Sequence, residues 1–267
     1  MFARPLLTLP PSVTLALWLP AVDGPESARR AARAVAGDEV HQVVERGAGQ
    51  TGAGTLADLI PHLLPAGEVA AVLPRPGDPM GAPAVRSADL LDAGEGVLVR
   101  RPGPPVERCS VLVPEREVFG SVLEPGELVT WHVDLDLTAE LAAPSLLLSG
   151  VESLSHARRQ IQTALTEAVE TLEELDVARD RPDLADQILD LSMATLPDHL
   201  LPPGLDPRRL DVLERAARLL AIVELATGDD GAAVTAVQAG ARAATLADIA
   251  TAARHALASA SATRLPG

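Results

Sequence analysis

The apolar positions of this chain change their period near residue 150. Before that point they come in short runs broken by turn residues, which reads as strands with some helix. After it they recur every three to four residues with acids between them, which reads as helix throughout. Val13 to Trp18 is an apolar run and predicts a central strand. Asp23-Gly24-Pro25 then places a proline in the first turn of a helix carrying Ala28, Ala31, Ala32 and Val35. Glu39 to Glu45 predicts a second strand. Gly52 to Gly54 lead into Thr55-Leu56-Ala57-Asp58, close to a capping box, so a helix is expected from there to near Gly67, kinked or shortened by Pro61. Glu68 to Leu73 predicts another strand.

The stretch from Val72 to Leu98 is the pivot of this half. It leaves a strand, crosses a proline- and glycine-rich loop, starts a short helix at Ser87 and returns through Gly94-Glu95-Gly96. Four apolar runs follow: Gly96 to Val99, Cys109 to Val113, Val118 to Leu123 and Leu128 to Leu137. Turns expected at Pro102-Gly103 and Pro125-Gly126 would make them antiparallel. Beyond Gly150, Leu154, Ile161, Leu165, Ala168, Leu172 and Leu175 form a narrow seam on a helix expected over Val151 to Ala178, interrupted by Arg158. Pro182 begins a second helix. Asp206-Pro207 caps a third that runs to Ala226 and is apolar on more than one side, so it should be central. After Gly228-Asp229-Asp230-Gly231, alanine-rich helices follow, the last capped by Thr245 with Asp248. The expected fold is α+β: a mixed α/β sheet domain over residues 1–150, then an all-α helical bundle domain over 151–267.

Composition narrows the function. The chain is 47% hydrophobic and 22% charged, which fits a globular protein, but only 1% aromatic, so its core must be aliphatic. It holds no Lys, Asn or Tyr, residues whose codons are A/T-rich, so a GC-rich genome explains the bias. A net charge of −15 opposes nucleic acid and anionic membrane surfaces, since both need a basic face. Arg29, Arg30 and Arg33 fall at helical spacing and read as a solvated helix face. The single Cys109 rules out an internal disulfide, sits in the apolar run CSVLV and fits a reducing cytoplasm. Pro10-Pro11 interrupts the uncharged stretch from Pro5 to Val22, and what remains, Ser12 to Val22, is too short to cross a bilayer.

No P-loop, HExxH, GxSxG or zinc-ligand spacing occurs, and no GxGxxG is expected after a strand, so neither cofactor nor metal is expected. The most site-like cluster is the loop at 74–89, with Arg75, Asp78, Arg86, Ser87 and Asp89. A strand end feeding a helix start offers free N–H groups, and an arginine there could fork onto a carboxylate or phosphate. His132 is the second candidate. On a strand it shares a face with Asp134 and Asp136, spaced roughly 6–7 Å per step, too far apart for one metal to reach all three without further ligands. His62, His156, His199 and His255 sit among helical Leu and Ala without a readable partner.

Three segments carry a resemblance: PRPGDPMG with the later DAGEGVLV, then LDVARDRPDLADQILDL, then LPPGLDPRRLDVLERAARLLAIVELATGDDGAAV. Together, over roughly residues 70 to 260, they resemble an actinobacterial family of conserved proteins with no assigned function. The resemblance implies a cytoplasmic housekeeping or accessory role and transfers no site residues. The expected function is a non-enzymatic binding or protein-interaction module, with a protein partner or self-association through the helical domain. The alternative is a small-molecule enzyme or ligand-binding protein using the 74–89 loop.

Overall fold

The structure is a computed structural model that describes residues 6–47, 54–101, 107–121, 125–174, 182–227 and 236–264. The chain separates into two units. One holds Pro10–Val151, His199–Gly204 and a stretch beginning at Ser261; the other holds a stretch ending at Leu9, Glu152–Asp198 and Leu205–Ala260.

The first unit is built on a five-stranded mixed sheet. Its elements are α1 (Pro11–Trp18), α2 (Pro25–Ala36), β1 (Val40–Glu45), α3 (Leu56–Leu59), β2 (Glu68–Val72), α4 (Ser87–Ala93), β3 (Gly96–Arg101), β4 (Arg108–Gly120) and β5 (Pro125–Asp134). The strand order is β1-β5-β4-β3-β2. β1 lies parallel to β5, and every other neighbouring pair is antiparallel. Val97, Val99, Leu112, Val129, Trp131 and Val133 fill one face, and Ala70, Val72, Leu98, Cys109 and Val111 the other, all at 0% exposure. Burial on both faces is why these strands read as unbroken apolar runs and not as alternation. On the outer edge of β2, Val69 exchanges backbone hydrogen bonds with Thr263, and the Ala71 N–H donates to Ser261 Oγ at 3.2 Å.

Four sequence expectations need correcting. Val13 to Trp18 is not a strand but lies within α1, all eight of whose residues are buried. A helix buried on every side has no amphipathic period, so an eight-residue apolar run cannot separate it from a central strand. Pro11 in its first turn was the available signal. Val118 and its flanks do not form a separate strand, because β4 runs unbroken through Pro114 to Gly120. Pro125 and Gly126 are not a turn but pair with Gly120 and Phe119. Finally, no helix begins at Thr245, which lies inside one continuous helix, α8, described below.

The pivot loop is held by its own backbone. Arg75 and Asp78 exchange N–H···O bonds of 3.0 and 2.9 Å, Gly77 takes φ +87°, and Gly81 at φ +76° packs against the Gly150 backbone. A Cβ on Gly150 would lie 2.5 Å from Gly81 Cα, so neither position admits a side chain. The Thr55–Asp58 capping box forms as expected, and α3 passes at Ile60 into a 3₁₀ turn that includes Pro61.

The second unit contains α5 (Leu154–Glu174), α6 (Pro182–Met193), α7 (Pro207–Thr227) and α8 (Ala236–Ser261). α7 buries Val212, Leu213, Ala216, Leu219 and Val223 and packs against both α5 and α6, which fits its all-round apolar sequence. Ala157, Ile161 and Ala164 of α5 are buried, while Arg158 points outward. The Arg218 guanidinium donates to the carbonyls of Leu191 and Ala194, closing the C-terminal end of α6. The turn at 228–231 and the seam side chains from 167 on lie outside the described residues. Among the described residues no helix is long and apolar enough to cross a membrane.

Candidate functional site

α2 begins at Pro25, with Ser27 Oγ accepting the N–H groups of Asp23 and Gly24 at 3.0 Å each. Ala28, Ala31, Ala34 and Val35 turn inward. The helical period therefore puts Arg29, Ala32, Arg33 and Ala36 on the opposite side. That side forms one wall of a cleft of about 570 Å³, completed by Gly37, by Glu39 and His41 at the start of β1, and by Thr55, Leu56 and Ala57. Gly37 at φ +55° lets the chain leave α2 directly into β1.

His41 forms the buried side of this cleft. The register pairs His41 with Val129 and Val43 with Trp131, so imidazole and indole lie diagonally on one face. Trp131 Nε1 donates to His41 Nδ1 at 3.0 Å, and Glu39 Oε2 lies 3.3 Å from His41 Nε2. With Nδ1 accepting, the neutral ring carries its hydrogen on Nε2 and gives it to Glu39. Burial pushes the His41 pKa down, against the pull of Glu39. Both ring nitrogens are therefore occupied, and the ring is held neutral. Glu39 Oε1 continues the chain to Arg116 at 3.5 Å, and Arg116 reaches Glu95 at 3.8 Å and Glu127 more closely. Burial raises the Glu95 pKa, although its Oε2 accepts the Ser12 N–H at 3.0 Å.

The residues expected from sequence lie elsewhere in the unit. Arg86 makes two bonds to Asp134, of 2.7 and 2.8 Å; the Asp134 carboxylate raises the Arg86 pKa against the effect of burial. Asp89 pairs with Arg46 at 2.5 Å. His132 Nε2 lies 2.8 Å from Glu115 Oε2, on the same sheet face as Asp134. Ser87 Oγ donates to the Ala84 carbonyl. Arg75 gives its guanidinium to the carbonyls of Pro74 and Gly94, and Asp78 bonds the Arg75 backbone. The structure thus brings Arg86, Asp89 and His132 to the sheet through partners of their own, while Arg75 and Asp78 close the loop. Asp136 lies past the end of β5 and accepts from the Thr138 N–H. Burial pushes the Cys109 thiol pKa up.

Sequence reasoning missed His41, Glu39, Arg116 and Glu95, because long-range pairing assembles them. It also passed over a signal: Gly47-Ala48-Gly49-Gln50-Thr51-Gly52 has GxGxxG spacing and follows β1, so that expectation is corrected. The nucleotide geometry needs a helix leaving the strand's carboxyl end. Here Gly54 bonds back to Val43, so α3 starts beside the middle of β1.

The helical unit has a cleft of its own, of about 520 Å³, where Glu152 lies between His156 Nδ1 at 2.7 Å and His255 Nδ1 at 3.6 Å. Among the described residues no group of three or more His, Cys, Asp or Glu is placed to hold a metal ion.

Fold and clefts together define an α+β protein made of a mixed-sheet unit and a helical unit. Residues 12–144 match the model for the N-terminal domain of Rv1486c-like protein, and residues 155–258 match that for its C-terminal domain. The chain belongs to this Rv1486c-like family, a conserved actinobacterial family with no assigned function. Similar proteins from Mycobacterium tuberculosis are uncharacterized protein Rv1486c of strain ATCC 25618 / H37Rv and uncharacterized protein MT1533 of strain CDC 1551 / Oshkosh. Each is 34% identical over 177 residues, covering 61% of this chain and 57% of the relative. The chain therefore spans less than two thirds of these relatives' length. No solved structure matches the chain.

Proposed function

We propose that the protein is a non-enzymatic binding module of the cytoplasm whose sheet unit takes a small polar ligand into the cleft beside β1. The observation that carries this reading is an open cleft with arginines on one wall and an imidazole, saturated at both nitrogens, on another. Such a wall orients a ligand through fixed polar groups, and its imidazole offers no free lone pair to act as a base. In this reading the loop at 74–89 is a structural tie, its cations satisfied by Asp134 and by backbone carbonyls. The division near residue 150 separates a ligand-binding domain from a helical bundle.

The test is a metabolite library screened by saturation-transfer NMR against the wild type and Ala32→Trp, which plugs the cleft. Ligands whose signal disappears with the plug support the reading. A screen without hits, or hits indifferent to the plug, refutes it.

A specific observation favours a second role for the helical unit, contact with a protein partner or a second copy. Leu189 and Met193, one turn apart on α6, are 64% and 57% exposed, and Leu6, beside Thr195, is 62% exposed. Sedimentation of Leu189→Glu against the wild type tests it: an unchanged monomer in both removes self-association.

A further inference from the structure

We infer that the cleft beside β1 accepts a small phosphate ester that also carries a hydroxyl or ammonium group; this rests on the ligand-binding reading above. Arg29 and Arg33 lie one turn apart on the cleft wall, and among the described residues neither guanidinium has a carboxylate partner. The contact between them is Arg33 Nε donating to the Arg29 carbonyl at 3.4 Å. Acids are in excess in a chain of net charge −15, yet among the described residues none reaches either guanidinium, whereas Arg75, Arg101, Arg218 and Arg264, which also lack a carboxylate, donate to backbone carbonyls of other segments. Arg46, Arg86, Arg100, Arg116 and Arg215 each have a carboxylate partner. Two like charges at i and i+4 repel each other, so the wall is at its least favourable when empty. A dianionic phosphate group removes that repulsion, and its oxygens match the forked N–H geometry of two guanidinium groups.

The other end of the cleft has the opposite sign. Glu39 lies beside His41 with its side chain 36% exposed. It repels a second anionic group and accepts from a hydroxyl or ammonium. The ligand is therefore polarised, phosphate towards α2 and donor towards β1. A cleft of about 570 Å³ leaves room for an organic body between them. A nucleic-acid backbone has the phosphates too, but the net charge of the chain opposes a polyanion and leaves a single ester as the fitting occupant.

Isothermal titration of the full chain with glycerol 3-phosphate, inorganic phosphate and glycerol tests this. The expected order is glycerol 3-phosphate tighter than inorganic phosphate, and glycerol without measurable heat. The double variant Arg29→Gln/Arg33→Gln should weaken glycerol 3-phosphate at least about tenfold, the scale of lost charge-assisted hydrogen bonds. Arg30→Gln, on the same helix but off the cleft, should leave it unchanged. Glu39→Gln should bring the affinities for the ester and for inorganic phosphate together. All three variants change exposed or half-exposed side chains, and circular dichroism checks their folding. Equal losses in Arg30→Gln and the double variant overturn the assignment. So does absence of heat with glycerol 3-phosphate while library ligands remain sensitive to the Ala32→Trp plug, an outcome that leaves the ligand-binding reading standing. Absence of any plug-sensitive ligand sinks both.

Discussion

Removing the Asp134 carboxylate should be among the more damaging single changes to the sheet unit. Its side chain is 7% exposed and that of Arg86 19%, and the two share hydrogen bonds of 2.7 and 2.8 Å. Breaking a buried pair from one side costs about 3–5 kcal/mol, chiefly because the remaining charge is stranded. Arg86 keeps one bond to the Val85 carbonyl and some access to water, which places Asp134→Ala at the low end, about 3 kcal/mol. Replacing both groups with apolar ones leaves no stranded charge, so Arg86→Met/Asp134→Leu should cost about 1 kcal/mol or less. The assay is urea unfolding at pH 7 followed by tryptophan fluorescence. Trp18 and Trp131 are both buried in the sheet unit, so the signal follows that unit. With a slope of about 2–3 kcal/mol/M, Asp134→Ala should lower the midpoint by about 1–1.5 M. A loss below about 1 kcal/mol, or a double variant whose cost equals the sum of the two single ones, would refute the stranded-charge argument.

Three further outcomes are expected. Because burial holds the His41 pKa below its ordinary 6.5, the unfolded chain takes up that proton first on acidification. Stability should therefore be complete above pH 6.5 and fall as the pH drops through the folded-state value. His41→Gln should lose less between pH 7.5 and 5.5 than the wild type, and identical losses refute the assignment. Gly150→Ala should cost about 1–3 kcal/mol, since its Cβ meets the Gly81 backbone at 2.5 Å; a urea midpoint within error of the wild type contradicts the close approach. Cys109 is buried and its thiol pKa is raised, so a disulfide reagent should modify the native chain on the order of 100-fold more slowly than the urea-unfolded one. Equal rates would show that the site opens freely.

Much of the architecture was legible because local chemistry marks it. The Thr55 cap, Pro182, Pro207 and the apolar runs at 68–72 and 96–99 state their elements without tertiary help. α1 was not legible because full burial erases the period that distinguishes helix from strand. In α5 the packing stripe joins Ile161, which the expected seam includes, to Ala157 and Ala164, small residues that a search for leucine seams passes over. The cleft was least legible of all. His41 gains its meaning from Trp131, a residue 90 positions away, and Glu95 from Ser12, 83 away, pairings that no spacing rule can anticipate. Arg29 and Arg33 were visible but looked like an ordinary wet helix face until β1 and α3 gave them a facing wall.

The bridge from Val69 to Thr263 sets a timetable for synthesis. β2 emerges from the ribosome in the first third of the chain, but its outer edge is met by residues translated nearly 200 positions later. Until then that edge presents open N–H and C=O groups, of the kind that capture foreign strands. The whole run of helices from α5 to α8 is translated in the interval. A nascent chain arrested before Thr263 should therefore carry a sheet that is folded but unsealed, sensitive to chaperone supply in a way that the released protein is not.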